Sequence, residues 1–224
     1  MKTKNLIIFI LYLAPLIITL IMLPIMPDQI PAQYGWTGEV TRYGSRYELL
    51  IMPIIAMFTG AFLTFASIRV AKGKSTQNPK LLFWASIAIA IPMVAMQIWH
   101  ISMIYPGFEA TPAGTLDSMR IMAIIISLSF VVLGNVLPKC RRNYFIGIRT
   151  PWTLKNEVCW SKTHRLAGIL MLGTGLISTL LCLFVFDGAA AFYVVAFGLG
   201  VALIPALIYS YYVYRQEKEK ARHD

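Results

Sequence analysis

The chain has 224 residues, of which 58% are hydrophobic and only 13% charged. Soluble domains carry about twice that share of charge. Such a composition at this length excludes a soluble globular domain, a disordered chain and a nucleic-acid-binding arm. It leaves an all-α polytopic membrane protein. The formal charge of +10 therefore asks first where the charges lie relative to the bilayer.

Six apolar blocks are long enough to cross about 30 Å of hydrocarbon as helices. The first, 6–26, follows Met-Lys-Thr-Lys. It exceeds the apolar core of a signal peptide, about 7–15 residues, and no small-residue cleavage site follows, so it reads as an uncleaved membrane helix. The segment 27–48 is longer than a turn needs. Its Gly35, Gly38 and Gly44 and its aromatic residues predict an ordered loop with a short hairpin around Thr37-Gly38. The second and third blocks are 49–69 and 81–104. A loop with Pro106-Gly107 and Pro112 to Gly114 turn signals leads to the fourth, 118–138. The segment 139–165 is the second long connection. The fifth and sixth blocks, 166–186 and 190–212, are joined by a tight hairpin from Phe186 to Ala189.

The linkers orient the chain. With both termini cytoplasmic, 17 of the 20 basic residues lie inside, and only Arg42, Arg46 and Arg120 lie outside. Lys and Arg are retained on the cytoplasmic side, so this orientation is the expected one. The chain then divides into an N-terminal membrane half, 1–116, with the external loop 27–48, and a C-terminal half, 117–224, with the cytoplasmic loop 139–165. Pro15, Pro53, Pro92 and Pro205 fall inside spans, where they predict kinks that neighbouring helices accommodate.

Membrane enzymes and ion-coupled transporters place ionisable groups at bilayer depth. These spans hold almost none: Asp28, Glu48, Arg69, Asp117, Arg120 and Asp187 sit at span ends. No HExxH or G-x-S-x-G pattern occurs, and His100, His164 and His223 do not all fall on one side of the membrane, so the three are not expected to form one metal site. Cys140, Cys159 and Cys182 form no CxxC pair and read as free thiols. No catalytic residues, cofactor or metal are expected.

The cytoplasmic loop stands apart. Within 139–165 it gathers Arg141, Arg142, Asn143, Tyr144, Phe145, Gly147, Arg149, Thr150, Pro151, Trp152, Trp160, His164 and Arg165. Gly147 permits unusual backbone angles, and Pro151 pushes Thr150 out of the helical region. Thr153 is placed to cap a short helix, Leu154 to His164, running into the fifth span. Three readings stay open on these residues: a headgroup-depth interfacial segment, a docking surface for a cytoplasmic protein, and a gate.

The run from Asn143 to Leu154, NYFIGIRTPWTL, continues with Glu157, Trp160, Thr163 to Arg165 and Gly168. Gly134 to Lys139 precedes it as a G-N-x-x-P-K run. Together these closely resemble the signature of the SdpI family of bacterial membrane proteins. Further upstream, Asp28 to Pro31, Gly38 to Val40 and Tyr43 to Ser45 resemble an uncharacterised domain that often precedes that signature. Gln33, Thr41 and Arg46 replace that pattern's usual histidine, aspartate and lysine.

The resemblance implies an immunity and receptor protein of the bacterial cell membrane. The family's founding member protects a spore-forming bacterium from its own secreted killing peptide. With that peptide present, it holds a winged-helix autorepressor at the membrane. Carried over, Gln33, Tyr34, Trp36, Glu39 and Tyr43 are candidate external ligand residues. Asn143, Tyr144, Phe145, Gly147, Arg149, Thr150, Pro151, Trp152, Trp160, His164 and Arg165 are candidates for docking the cytoplasmic partner. The alternatives are a small transporter or exporter, motivated by the span prolines, and a membrane enzyme on lipid or cell-wall precursors using Arg149 and His164.

Overall fold

The computed structural model describes residues 2–34, 40–71, 79–105, 118–143 and 147–223. Among these, six helices are long and apolar enough to cross a membrane. They are α1 (Lys2–Met22), α2 (Ile51–Ala71), α3 (Pro79–Ile104), α4 (Ser118–Val136), α6 (Glu157–Phe184) and α7 (Gly188–His223). A five-residue helix, α5 (Pro151–Lys155), lies between α4 and α6. All six predicted spans are present.

The spans pack as two groups of three. Helices α1, α2 and α3 touch one another, as do α4, α6 and α7, and α3 against α4 is the principal seam between the groups. The first group is tied by Tyr12, whose hydroxyl donates to the Ser86 carbonyl at 3.0 Å. A Cβ on Gly60 would run into the Tyr12 side chain, so the missing side chain lets α2 close on α1.

Helices α4 and α6 come closer still. A Cβ on Gly134 would sit 2.5 Å from the Leu172 backbone nitrogen, and one on Gly168 would sit 2.7 Å from the Gly134 carbonyl. Farther along, a Cβ on Gly175 would sit 2.8 Å from the Ser127 carbonyl. Lipid tails are as apolar as the helix faces, so close backbone packing of this kind replaces the hydrophobic drive available in water. Gly134 and Gly168 are two of the motif glycines, and this contact accounts for both.

At one end of the bundle, Gln29–Tyr34 (β1) and Val40–Ser45 (β2) pair antiparallel. The expected hairpin is there; its turn, with Trp36 to Glu39, lies outside the described residues. Ile30 anchors the ribbon, buried among Met26, Leu49, Ile101 and Ile104. Residues 139–143 and 147–156 lie at the opposite end.

Two local expectations are corrected. Pro53 lies in the first turn of α2, not mid-helix, whereas Pro15, Pro92 and Pro205 are interior. In a first turn the missing N–H has no helical partner to lose. Also, no single helix runs from Leu154 to His164 under a Thr153 cap. Thr150 caps α5 in a reciprocal capping box with Thr153. The chain then breaks at Asn156, whose Oδ1 accepts from the Cys159 N–H at 2.8 Å and starts α6. The break arises because an Asn side chain offers the backbone an alternative partner.

Candidate functional site

The described residues between α4 and α6, 137–143 and 147–156, form a clasp around one histidine. His164 is 0% exposed. Its Nε2 accepts the Ile148 backbone N–H at 2.9 Å, and its Nδ1 meets the Trp160 carbonyl at 2.8 Å. Both contacts are satisfied by the neutral ring with its proton on Nδ1. Trp160 stacks on the imidazole at 4.0 Å between ring centroids. Its indole N–H donates to the Cys140 carbonyl at 2.8 Å. The histidine thus holds the chain at Ile148, and Trp160, stacked on it, holds the chain at Cys140.

Gly147 is required by this geometry. It takes φ +122°, and a Cβ there would run into His164 Nε2. Thr153 closes the next turn. Its hydroxyl donates to the Ile148 carbonyl at 2.9 Å while accepting the Thr150 N–H at 2.9 Å. Trp152 then reaches 58 positions ahead. Its indole N–H donates to Ser210 Oγ on α7 at 2.9 Å, and its ring packs edge-on against Tyr211 at 5.5 Å. Cys159 donates to the Ser210 carbonyl at 3.1 Å. Arg142 donates to the Leu154 carbonyl at 3.2 Å and lies 3.9 Å from Glu157.

The eleven docking candidates therefore separate. Asn143, Trp160 and His164 are buried; Gly147, Thr150 and Trp152 are half-buried; Arg149, Pro151 and Arg165 are exposed. Tyr144 and Phe145 lie outside the described residues. Sequence reasoning missed Ser210 and the carbonyl of Cys140. The only trace of Ser210 is one hydroxyl inside the aromatic run Tyr209 to Tyr212.

The hairpin end is built differently. Arg42 grips Glu48 with two hydrogen bonds, 3.1 and 2.7 Å. That carboxylate raises the Arg42 guanidinium above its ordinary value, so the pair stays charged. Arg46 donates to the Met26 carbonyl at 3.4 Å and pairs with Asp28 at 3.5 Å. Below it, Gln97 Nε2 donates to Thr19 Oγ1 at 2.8 Å and to the Leu49 carbonyl at 3.2 Å. On this base Tyr43 and Tyr47 stand 62% and 60% exposed. Gln33 is exposed, and Tyr34 ends β1. Trp36 and Glu39 fall in the undescribed turn.

A crevice of about 260 Å³ follows the α3–α4 seam, lined by Trp84, Ile87, Ile91, Ile125, Leu128 and Val132 among others. Apart from Ser129 its walls are apolar, which suits lipid chains. Among the described residues, no group of His, Cys, Asp and Glu is placed to hold a metal.

Comparison with known proteins then places the clasp. Residues 139–210 match the SdpI/YfhL protein family. They form the SdpI-matching segment of the chain. Residues 10–57 match a domain of unknown function, DUF1648. The chain is also 27% identical to the immunity protein SdpI of Bacillus subtilis (strain 168), over 95% of this chain and 97% of that one. No solved structure matches significantly. The SdpI segment begins where α4 ends, takes in the whole clasp, and closes on Ser210, the residue that receives Trp152. The protein is thus a multi-pass cell-membrane protein similar to an immunity protein along nearly its whole length.

Proposed function

We propose that this protein is a non-catalytic immunity and signalling protein, with its hairpin end outside the cell and its SdpI segment and both termini inside. The similarity to an immunity protein over 95% of the chain carries the reading. The placement of 17 of 20 basic residues on one side supports the orientation. In this reading a secreted antimicrobial peptide meets the hairpin at Gln33, Tyr34, Trp36, Glu39 and Tyr43. A winged-helix autorepressor docks on the opposite end through the exposed part of the signature, Arg149, Pro151 and Arg165. Tyrosine and arginine are enriched among residues that dominate protein interfaces. The buried members of the signature hold that surface in shape. The two halves, 1–116 and 117–224, divide the work between reception and relay.

His164 speaks for a structural part rather than a chemical one, since both ring nitrogens are engaged and no face of the ring is open. The test is expression in a strain sensitive to a secreted killing peptide, with survival scored against added peptide. Protection is expected. If no peptide of that class is neutralised while the protein reaches the membrane in full amount, the immunity reading fails.

A further inference from the structure

Helix α7 is longer than a bilayer requires. Its 36 residues extend about 54 Å at 1.5 Å each, against about 30 Å of hydrocarbon. A span of about 20 residues from the start of the helix leaves its part from about Tyr211 onward beyond the hydrocarbon, toward the headgroups. There Tyr211, Tyr214, Arg215, Lys218, Glu219 and Arg222 line a cavity of about 320 Å³. These positions follow helical spacing along one face. The SdpI segment supplies a supporting wall: Trp152 packs on Tyr211 at 5.5 Å and lies 6.4 Å from Tyr214.

Three cations share this face with one carboxylate, Glu219, and leave it net positive. Glu217, on the neighbouring face, pairs with Lys162 at 3.7 Å and with Lys220 at 3.5 Å. Arg215, Lys218 and Arg222 enter no ion pair among the described residues. Three cations and one carboxylate therefore face a common space at headgroup depth, beside an aromatic wall.

We propose that this cavity binds the headgroup of an anionic glycerophospholipid. The phosphodiester sits among Arg215, Lys218 and Arg222. Glu219 accepts from headgroup hydroxyls, and the net positive charge of the lining favours an anionic head with a polyol such as glycerol over zwitterionic phosphatidylcholine. Tyr211 and Tyr214 flank the glycerol backbone at the edge of the hydrocarbon, where amphipathic rings settle. Basic residues near a membrane surface attract anionic lipid. Here a preformed space converts general attraction into a single position. The occupant would brace α7 against α5, and so bear on the clasp through Trp152.

The full chain in nanodiscs of phosphatidylcholine with a minor share of phosphatidylglycerol is the material for the test. Lipid retained after transfer to detergent is counted by native mass spectrometry. Wild type is expected to retain phosphatidylglycerol selectively. Arg215→Ala with Arg222→Ala should lower that retention tenfold or more, and Lys218→Gln should lower it less. Lys220→Ala, on the paired face, should leave it unchanged. Gel filtration and circular dichroism verify that each variant is folded. Equal retention of the two lipids by wild type overturns the proposal, as does wild-type retention by the double variant. Displacement of the lipid by inorganic phosphate overturns the lipid assignment in favour of a free-anion site.

Discussion

The two ends of this molecule use similar residues to opposite purpose. Both are rich in arginine and aromatic side chains. At the SdpI end these turn inward: Trp160 is 1% exposed, His164 is sealed, and Trp152 spans to α7. At the hairpin end a few contacts, from Ile30, Gln97 and Arg46, support a ribbon whose Tyr43 faces out. A recognisable motif is thus not the same thing as a contact surface. Most of the SdpI signature is explained by the need to fold a short connection tightly between α4, α6 and α7.

The largest expected effect tests whether the motif glycines are structural. Gly168 and Gly173 lie five residues apart on α6, yet their surroundings differ completely. A Cβ at Gly168 meets the Gly134 backbone and Pro138, whereas one at Gly173 meets nothing within 4 Å. Backbone cannot step aside as a flexible side chain can. Gly168→Val is therefore expected to cost about 3 kcal/mol or more. Gly173→Ala is expected to be neutral or slightly stabilising, because alanine is the better helix former. Thermal unfolding in detergent measures both. Equal melting of the two variants would mean that α4 and α6 do not touch as described.

A smaller effect separates the clasp from a mere surface loop. His164→Ala leaves the Ile148 N–H without its acceptor and opens a void under Trp160. The two losses together are expected to be about 2–4 kcal/mol. The more telling readout is local: cleavage by trypsin after Arg149 should accelerate strongly. Gln, whose side-chain oxygen can reach toward the Nε2 position, should restore part of the resistance. Unchanged cleavage in the Ala variant would place the ring outside the forces that hold 147–150.

How much of this was legible in the sequence follows from the range of the interactions. The six spans were legible because the bilayer imposes a length and an apolar composition on each of them. The hairpin was legible from its glycines and aromatic residues, and the long 139–165 connection from its charge. The α5 cap was misread because Thr150 and Thr153 both suit a cap; Pro151 at the first helical position decides for Thr150. The burial of Trp160 and His164 was not legible at all. Arg, Trp and Tyr in a connecting segment have the same composition whether they meet headgroups, a partner or their own chain. What decides is contact with Cys140, Ile148 and Ser210, and the last lies 58 residues from Trp152.

The smallest effect on stability should accompany the largest effect on function, and Tyr43 is the place to see it. It lies on β2 opposite Pro31, 62% exposed, on a ribbon held from beneath by other residues. Exposed side chains away from such supports change stability by about 0.5 kcal/mol or less when replaced. Tyr43→Ala should therefore melt as wild type does and reach the membrane in full amount. If the hairpin receives a peptide, the same variant should lose protection in the survival assay, since truncating a central aromatic often removes much of an interface's affinity. Full protection with Tyr43→Ala would move the receptor surface off β2. Lost protection together with a lowered melting temperature would mean that Tyr43 supports the ribbon, contrary to its exposure. Only the separation of the two measurements supports the contrast between an end built to hold itself and an end built to meet something else.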